Sequence, residues 1–270
     1  MNAGPKFRSE SGSHARGLAA SALLLLSTTA IGFGQSIELR PVADTSLSET
    51  VPNNNLGAAT FTTAGVTQNN TRTRALYQFD IAGSIPANSL ITSAELLLEI
   101  TRQPADGYAI GTFGLHRVLV PWGEGNKVAA NPNFPGQGAP ATLGEATWLS
   151  SIHGATLWSL PGGAPGVDFV ASSSASQVVY SIANSPYSFG LTVQLAGDVQ
   201  YWLDHPAENF GWMLIDEAES VAFTARRFGS REGGVNAPKL LIQYQPVPEP
   251  ALLVAGALLL ALGRTRMHKP

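Results

Sequence analysis

The chain has 270 residues, a formal net charge of −3, five histidines and no cysteine. Lack of thiols excludes disulfides, zinc–thiolate centres and thiol catalysis, and the weakly negative balance offers no basic surface for nucleic acid. Charged residues make up only 13% where about a quarter is usual, and 28 Gly and 18 Pro break the chain frequently, a balance that suits an all-β extracellular domain with long turns rather than a helical enzyme.

At the N-terminus, Lys6, Arg8 and Arg16 precede an apolar run over residues 18–31, and Gly32-Phe33-Gly34 reads as a small-x-small cleavage site. Residues 1–34 are therefore expected to be an export signal with an N-terminal signal helix. Residues 35–245 remain, enough for one sizeable β-sandwich whose core needs no disulfides. Residues 36–42 alternate as a first strand, with Ile37 and Leu39 in one register, and residues 60–66 form a second. The third, 74–81, sets Ala75, Tyr77, Phe79 and Ile81 on one face and Arg74, Gln78 and Asp80 on the other. Residues 91–102 turn Ala94, Leu96, Leu98 and Ile100 inward and Glu95 and Glu99 outward, and 111–122 make a fifth strand.

Periodicity then fails over residues 123–174, which are rich in Gly, Pro, Asn and Ser. A structureless stretch that long is uncommon in a compact domain, so short strands or a functional crown are expected within it. Alternation resumes at 176–182 and 188–195. Leu195, Val199, Trp202 and Leu203 recur at i, i+4, i+7 and i+8, predicting a short amphipathic helix that ends at His205-Pro206. Strands at 210–216, 221–228 and 239–244 complete an antiparallel jelly-roll-type β-sandwich with one short helix.

Residues 246–270 form a separate tail. Pro246, Pro248 and Pro250 hold its start extended, residues 251–262 are all apolar or Gly, and Arg264, Arg266 and Lys269 follow. This predicts a C-terminal transmembrane or sorting helix with its basic end on the cytoplasmic side. It is marginal in length: at about 1.5 Å per residue the apolar run covers roughly 20 Å of a bilayer interior of about 30 Å. Val247-Pro248-Glu249-Pro250, the apolar segment and the end carrying Arg264 and Arg266 resemble the PEP-CTERM sorting signal. That resemblance implies export to the cell envelope or the exopolysaccharide matrix, transient membrane anchoring, and removal of the tail near Pro248-Glu249-Pro250 by a membrane-embedded exosortase.

The body resembles the DNRLRE family, a domain grouped with the carbohydrate-binding modules of alginate-active enzymes. The resemblance rests on an ordered set of stretches: Ala43-Asp44-Thr45 with the Asn-rich loop to Gly57, Arg74-Ala75-Leu76-Tyr77-Gln78-Phe79-Asp80, Ile91-Thr92-Ser93-Ala94-Glu95-Leu96, Trp122-Gly123-Glu124, Thr147-Trp148, Pro161-Gly162-Gly163, Val199-Gln200-Tyr201-Trp202-Leu203, and Ser230-Arg231-Glu232 before Pro238-Lys239-Leu240. It implies a non-catalytic domain that binds polysaccharide. The run Ala225-Arg226-Arg227-Phe228, the Gly233-Gly234 insertion and the long loop after Glu124 depart from the family pattern.

Candidate chemistry is sparse. The histidines are dispersed, and no nucleophile-elbow, metalloprotease or P-loop pattern occurs. Trp122, Trp148 and Trp158 lie in or beside the Gly/Pro-rich segment, where indole faces either stack on sugar rings or cover the open end of the sandwich. An acidic sugar also needs cations, and Lys127, Arg226, Arg227 and Arg231 are the nearby candidates. Asp44, Asn53 and Asn55 offer hard oxygens to calcium, although Asn-rich turns also form without any ion. The alternative to binding is a polysaccharide-degrading enzyme with its site in residues 122–168, drawing on carboxylates such as Glu124, Asp168, Asp216, Glu217 and Glu232.

Overall fold

A computed structural model describes residues 34–246. The chain runs through β1 (Gln35–Leu39), β2 (Ala43–Ser48), β3 (Asn54–Asn55), β4 (Phe61–Val66), β5 (Arg72–Gln78), β6 (Leu90–Leu98), β7 (Ile100–Arg102) and β8 (Gly111–Arg117). Three short strands follow, β9 (Ala139–Pro140), β10 (Ser150–Ile152) and β11 (Thr156–Leu157). Next come β12 (Ala175–Val179), β13 (Tyr187–Gly190), the helix α1 (Val193–Asp204), β14 (Trp212–Asp216), β15 (Arg226–Gly229) and β16 (Lys239–Gln245).

The fold is mostly β, with curled antiparallel sheets forming a half-barrel. One sheet has the order β1-β16-β6-β13. The larger runs β12-β8-β14-β5-β4-β15-β7, with β2 along the other edge of β5. The larger sheet forks at β5, whose residues Ala75 to Tyr77 pair with β14 while Arg72 and Thr73 pair with β4. The strip β4–β15–β7 thus branches away from β14–β8–β12 and adds to the curl of a naturally twisted sheet.

The main core fills the space between the two sheets. Tyr77, Phe113, Trp212 and Phe228 meet Leu96, Leu98, Phe189, Leu240 and Ile242 there. Helix α1 closes one side with Leu195, Val199, Trp202 and Leu203, the four residues whose spacing predicts it. Thr192 caps it, accepting a hydrogen bond from the Leu195 amide at 3.1 Å.

A second apolar cluster covers the opposite face of the larger sheet, where Leu47, Leu76 and Met213 pack with Trp148, Trp158 and Phe169. Those last three belong to the long aperiodic segment, which therefore lies across the sheet and contains β9, β10 and β11. Burial on both faces explains where the pattern misleads. Arg74, expected outside, is buried with its guanidinium 5.6 Å from the rings of Trp148 and Phe169 and bidentate to Glu219. Residues 43–48 form a strand that alternation does not mark, because Asp44, Ser46 and Ser48 are buried just as Leu47 is. Only Arg226–Gly229 of the segment expected as a strand from 221 is one; Val221 is exposed and precedes it in a turn.

Among the described residues no helix is long and apolar enough to cross a membrane. The expected signal helix and the sorting tail with Pro248, Glu249, Pro250, Arg264 and Arg266 lie outside the described residues.

Candidate functional site

The tryptophans expected to meet sugar are packing groups. Trp148 and Trp158 are 2% and 4% exposed. The Trp158 Nε1–H donates to the Thr147 carbonyl at 2.8 Å, and a Cβ on Gly162 would come within 2.6 Å of the Trp148 ring. Trp122 is half-buried, packs on the same cluster and donates its Nε1–H to the Phe210 carbonyl at 2.8 Å. A ring pressed between loop and sheet has no free face for a sugar; Trp148 and Trp158 cover the outer face of the larger sheet rather than the open end of a sandwich.

Two expected sugar-binding arginines are likewise committed elsewhere. Arg226 is 1% exposed and donates to five backbone carbonyls, Nη1 to Phe223, Thr224 and Ala225, and Nη2 to Ala109 and Tyr180. It ties three segments together from inside the fold. Arg231 Nη2 pairs with Glu124 at 3.0 Å and Glu232 at 2.9 Å, and its backbone N–H donates to Asp44 at 2.6 Å.

Asp44, Glu124 and Glu232 bring one carboxylate oxygen each within 4.8 Å of the others. The Glu124 carboxylate also accepts the Asp44 N–H at 3.0 Å. Three of the stretches that carry the family resemblance meet at this corner. Burial dominates the electrostatics, pushing the Asp44 carboxyl up to about 8 against a lowering contribution from the Arg231 N–H, and it raises Glu124 too. Asp44 therefore keeps its proton at neutral pH and joins the corner as a hydrogen-bonding clasp. The calcium set expected from Asp44, Asn53 and Asn55 is not assembled. Asn55 donates to the Glu124 and Ala146 carbonyls at 2.8 and 3.0 Å, while its Oδ1 accepts from Gly57 and Lys127, which leaves it no oxygen for an ion. Asn53 is exposed.

Two of the alternative catalytic carboxylates, Asp168 and Asp216, are similarly engaged, while Glu217 is exposed. Asp168 accepts the Ser159 and Ala164 amides at 2.9 and 2.7 Å and the Ser159 hydroxyl at 3.0 Å. Asp216 is fully buried and takes hydrogen bonds from the Thr224 hydroxyl and the Ala218 amide.

The open, chemically uncommitted place is a cleft of about 400 Å³ over the β4–β15–β7 strip. Arg227 and Arg102 stand directly opposite each other across the β15–β7 pair. Like charges in that position repel, so the pairing costs stability unless something anionic lies between them. Arg227 is half-buried, 4.2 Å above the Phe61 ring, and burial followed by the charge of Arg102 lowers its pKa. No carboxylate lines the cleft, and among the described residues neither arginine has a salt-bridge partner. Gln68, Asn69, Thr63, Gln103 and Asn133 supply neutral polar groups, and Phe134 on the facing turn is 55% exposed.

Of the expected cations, Arg226 and Arg227 both line this cleft, but the Arg226 guanidinium is taken up by backbone carbonyls, so Arg227 is the one left to act there, joined by Arg102, which the sequence does not mark. A usable signal exists for Arg227. Phe228 is apolar and adjacent, so the alternation that buries Phe228 and Arg226 turns Arg227 to the other face.

No family model matches this chain, and no curated protein matches it.

Proposed function

We propose that this chain is an exported, non-catalytic protein that binds an acidic polysaccharide in the Arg102–Arg227 cleft. The opposed arginines carry the reading: two cations without carboxylate partners, one stiffened by stacking on Phe61, suit the carboxylates of successive uronic acid units. Phe134 offers a ring face to the apolar side of a sugar, and the amide side chains suit its hydroxyls. The resemblance to the DNRLRE carbohydrate-binding domains and the jelly-roll-type reading of the curled sheets point the same way. So does the tail, whose likeness to the PEP-CTERM signal suggests anchoring in a membrane, processing by an exosortase and retention in the envelope or its polysaccharide matrix.

The test is titration of the protein with oligouronates at two salt concentrations. Affinity should fall at high salt, and Arg102→Ala with Arg227→Ala should weaken low-salt binding by about tenfold or more. Equal affinity in the double variant would refute the cleft as the site. The enzyme reading finds less support, since Asp168 and Asp216 are held by hydrogen bonds inside the fold and Glu124 and Glu232 pair with Arg231. Release of unsaturated or reducing ends, abolished by Glu124→Gln, would reinstate it. Mass spectrometry of the protein from its native cell checks the sorting reading; an intact Pro270 on cytoplasmic material would remove it.

A further inference from the structure

Beside the arginine cleft the fold turns a small aromatic face outward. Strands β8 and β12 pair with Thr112 opposite Val178 and Gly111 opposite Val179, so one step further along both chains Ile110 and Tyr180 come together. The buried Arg226 fixes that meeting, its Nη2 donating at 2.8 Å to the Ala109 carbonyl and at 2.8 Å to the Tyr180 carbonyl. Around this clasp the side chains of Tyr108, Ile110, Tyr180 and Ile182 are between 43% and 56% exposed. Large hydrophobic side chains left open in one place mark a surface that meets something other than water.

These tyrosines are not packing groups of the kind that Trp148 and Trp158 are. Neither belongs to a core cluster, and among the described residues neither ring packs on another aromatic ring. The guanidinium carbon of Arg226 lies 5.0 Å from the centroid of the Tyr108 ring and covers one of its faces, which leaves the opposite face to solvent. The same surface is joined to the cleft by a direct bond. Gln103, which lines the cleft beside Arg102, accepts the Ile182 N–H at 2.7 Å.

Building on the polyuronate reading of the cleft, we infer that Tyr108 and Tyr180 extend it as a second subsite, stacking on sugar rings of a chain that runs out past Gln103. A cleft of about 400 Å³ encloses only a short stretch of a polymer, so a bound polysaccharide continues over the neighbouring surface. The side chains of Tyr108, Ile110, Tyr180 and Ile182 carry no charge to repel uronate carboxylates. A tyrosine ring matches the apolar face of a sugar, and its hydroxyl matches the sugar hydroxyls. The cleft thus supplies the charged contacts and the tyrosine face the neutral ones.

The experiment is calorimetric titration of the full-length protein with oligouronates from the dimer to the hexamer, at low and high salt. The hexamer should bind about fivefold to tenfold more tightly than the dimer. Tyr108→Ala with Tyr180→Ala should bring the hexamer down to the affinity of the dimer, by a factor that salt does not alter. Arg102→Ala with Arg227→Ala should weaken every length, mainly at low salt. Tyr108→Phe with Tyr180→Phe keeps the ring faces and should retain most of the gain with length. If loss of the Tyr108 ring unseats Arg226 and that variant does not fold, Tyr180→Ala alone decides, with an expected loss of about threefold or more. Equal affinity for dimer and hexamer, or a gain that survives the alanine changes, would overturn the subsite and leave the cleft in place. Binding absent at every length, or indifferent to the arginine pair, would overturn the cleft reading and the subsite with it. Self-association that the alanine changes abolish at unaltered hexamer affinity would mean that a second copy covers this face, and would also overturn the subsite.

Discussion

The stretch over residues 145–170 and the arginine cleft both sit on the larger sheet, yet they use their residues in opposite ways. The segment brings aromatics onto the sheet and buries them, so Trp148 and Trp158 act as a second core. The cleft leaves its strip of sheet open and its two cations unpaired. Arg226 and Arg227 compress the contrast into adjacent residues, one enclosed by five carbonyls, the other facing solvent across from Arg102. Residue type alone does not separate a binding group from a packing group; what separates them is whether the fold has already satisfied it.

Trp148→Ala is the strongest way to break the comparison. It should cost about 3–5 kcal/mol of stability in urea unfolding, while the molecules that remain folded bind oligouronate as before. Lost affinity at unchanged stability would return the site to the long segment. Arg102→Ala with Arg227→Ala should do the reverse. Binding falls by roughly 1.4 kcal/mol or more at low salt, and the midpoint of thermal unfolding stays level or rises as the like-charge repulsion goes.

Asp44→Asn sharpens the picture of the carboxylate corner. The folded Asp44 titrates near 8 and the unfolded chain near 3.8. Between those values the unfolded chain releases a proton that the fold retains, so stability declines as pH rises through that window. Asp44→Asn should flatten that decline and gain roughly 1–2 kcal/mol at pH 8; a profile parallel to the parent would mean that the buried carboxyl is already ionised. The smallest effect is expected for Arg231→Ala. Its ion pairs are partly exposed, so stability should change by under about 1 kcal/mol, and oligouronate affinity should not change.

Where one face of an element meets the core and the other meets water, the sequence is easily read. Strand β6 shows this, with Ala94, Leu96 and Leu98 buried and Glu95 and Leu97 only partly so, as does α1 with its four inward residues. Strands β5 and β14 are buried on both faces, and there alternation carries little information: all five residues of β14 are buried, and Arg74 passes for a surface residue until Trp148 and Glu219 are in place. The cleft was half legible. The phase of Arg227 follows from Phe228, but its partner depends on a register between strands more than a hundred residues apart, and no local pattern in Thr101-Arg102 announces it.

Strand β1 and strand β16 pair antiparallel with Gln35 opposite Tyr244. The backbone therefore enters and leaves this domain at one pole, side by side, rather than at opposite ends. The domain is accordingly suited to circular permutation. A short linker joining residue 245 to residue 35, with a new opening at the exposed Gly107 turn, would preserve every strand pairing and move the ends of the domain from the β1–β16 pole to the turn that precedes β8.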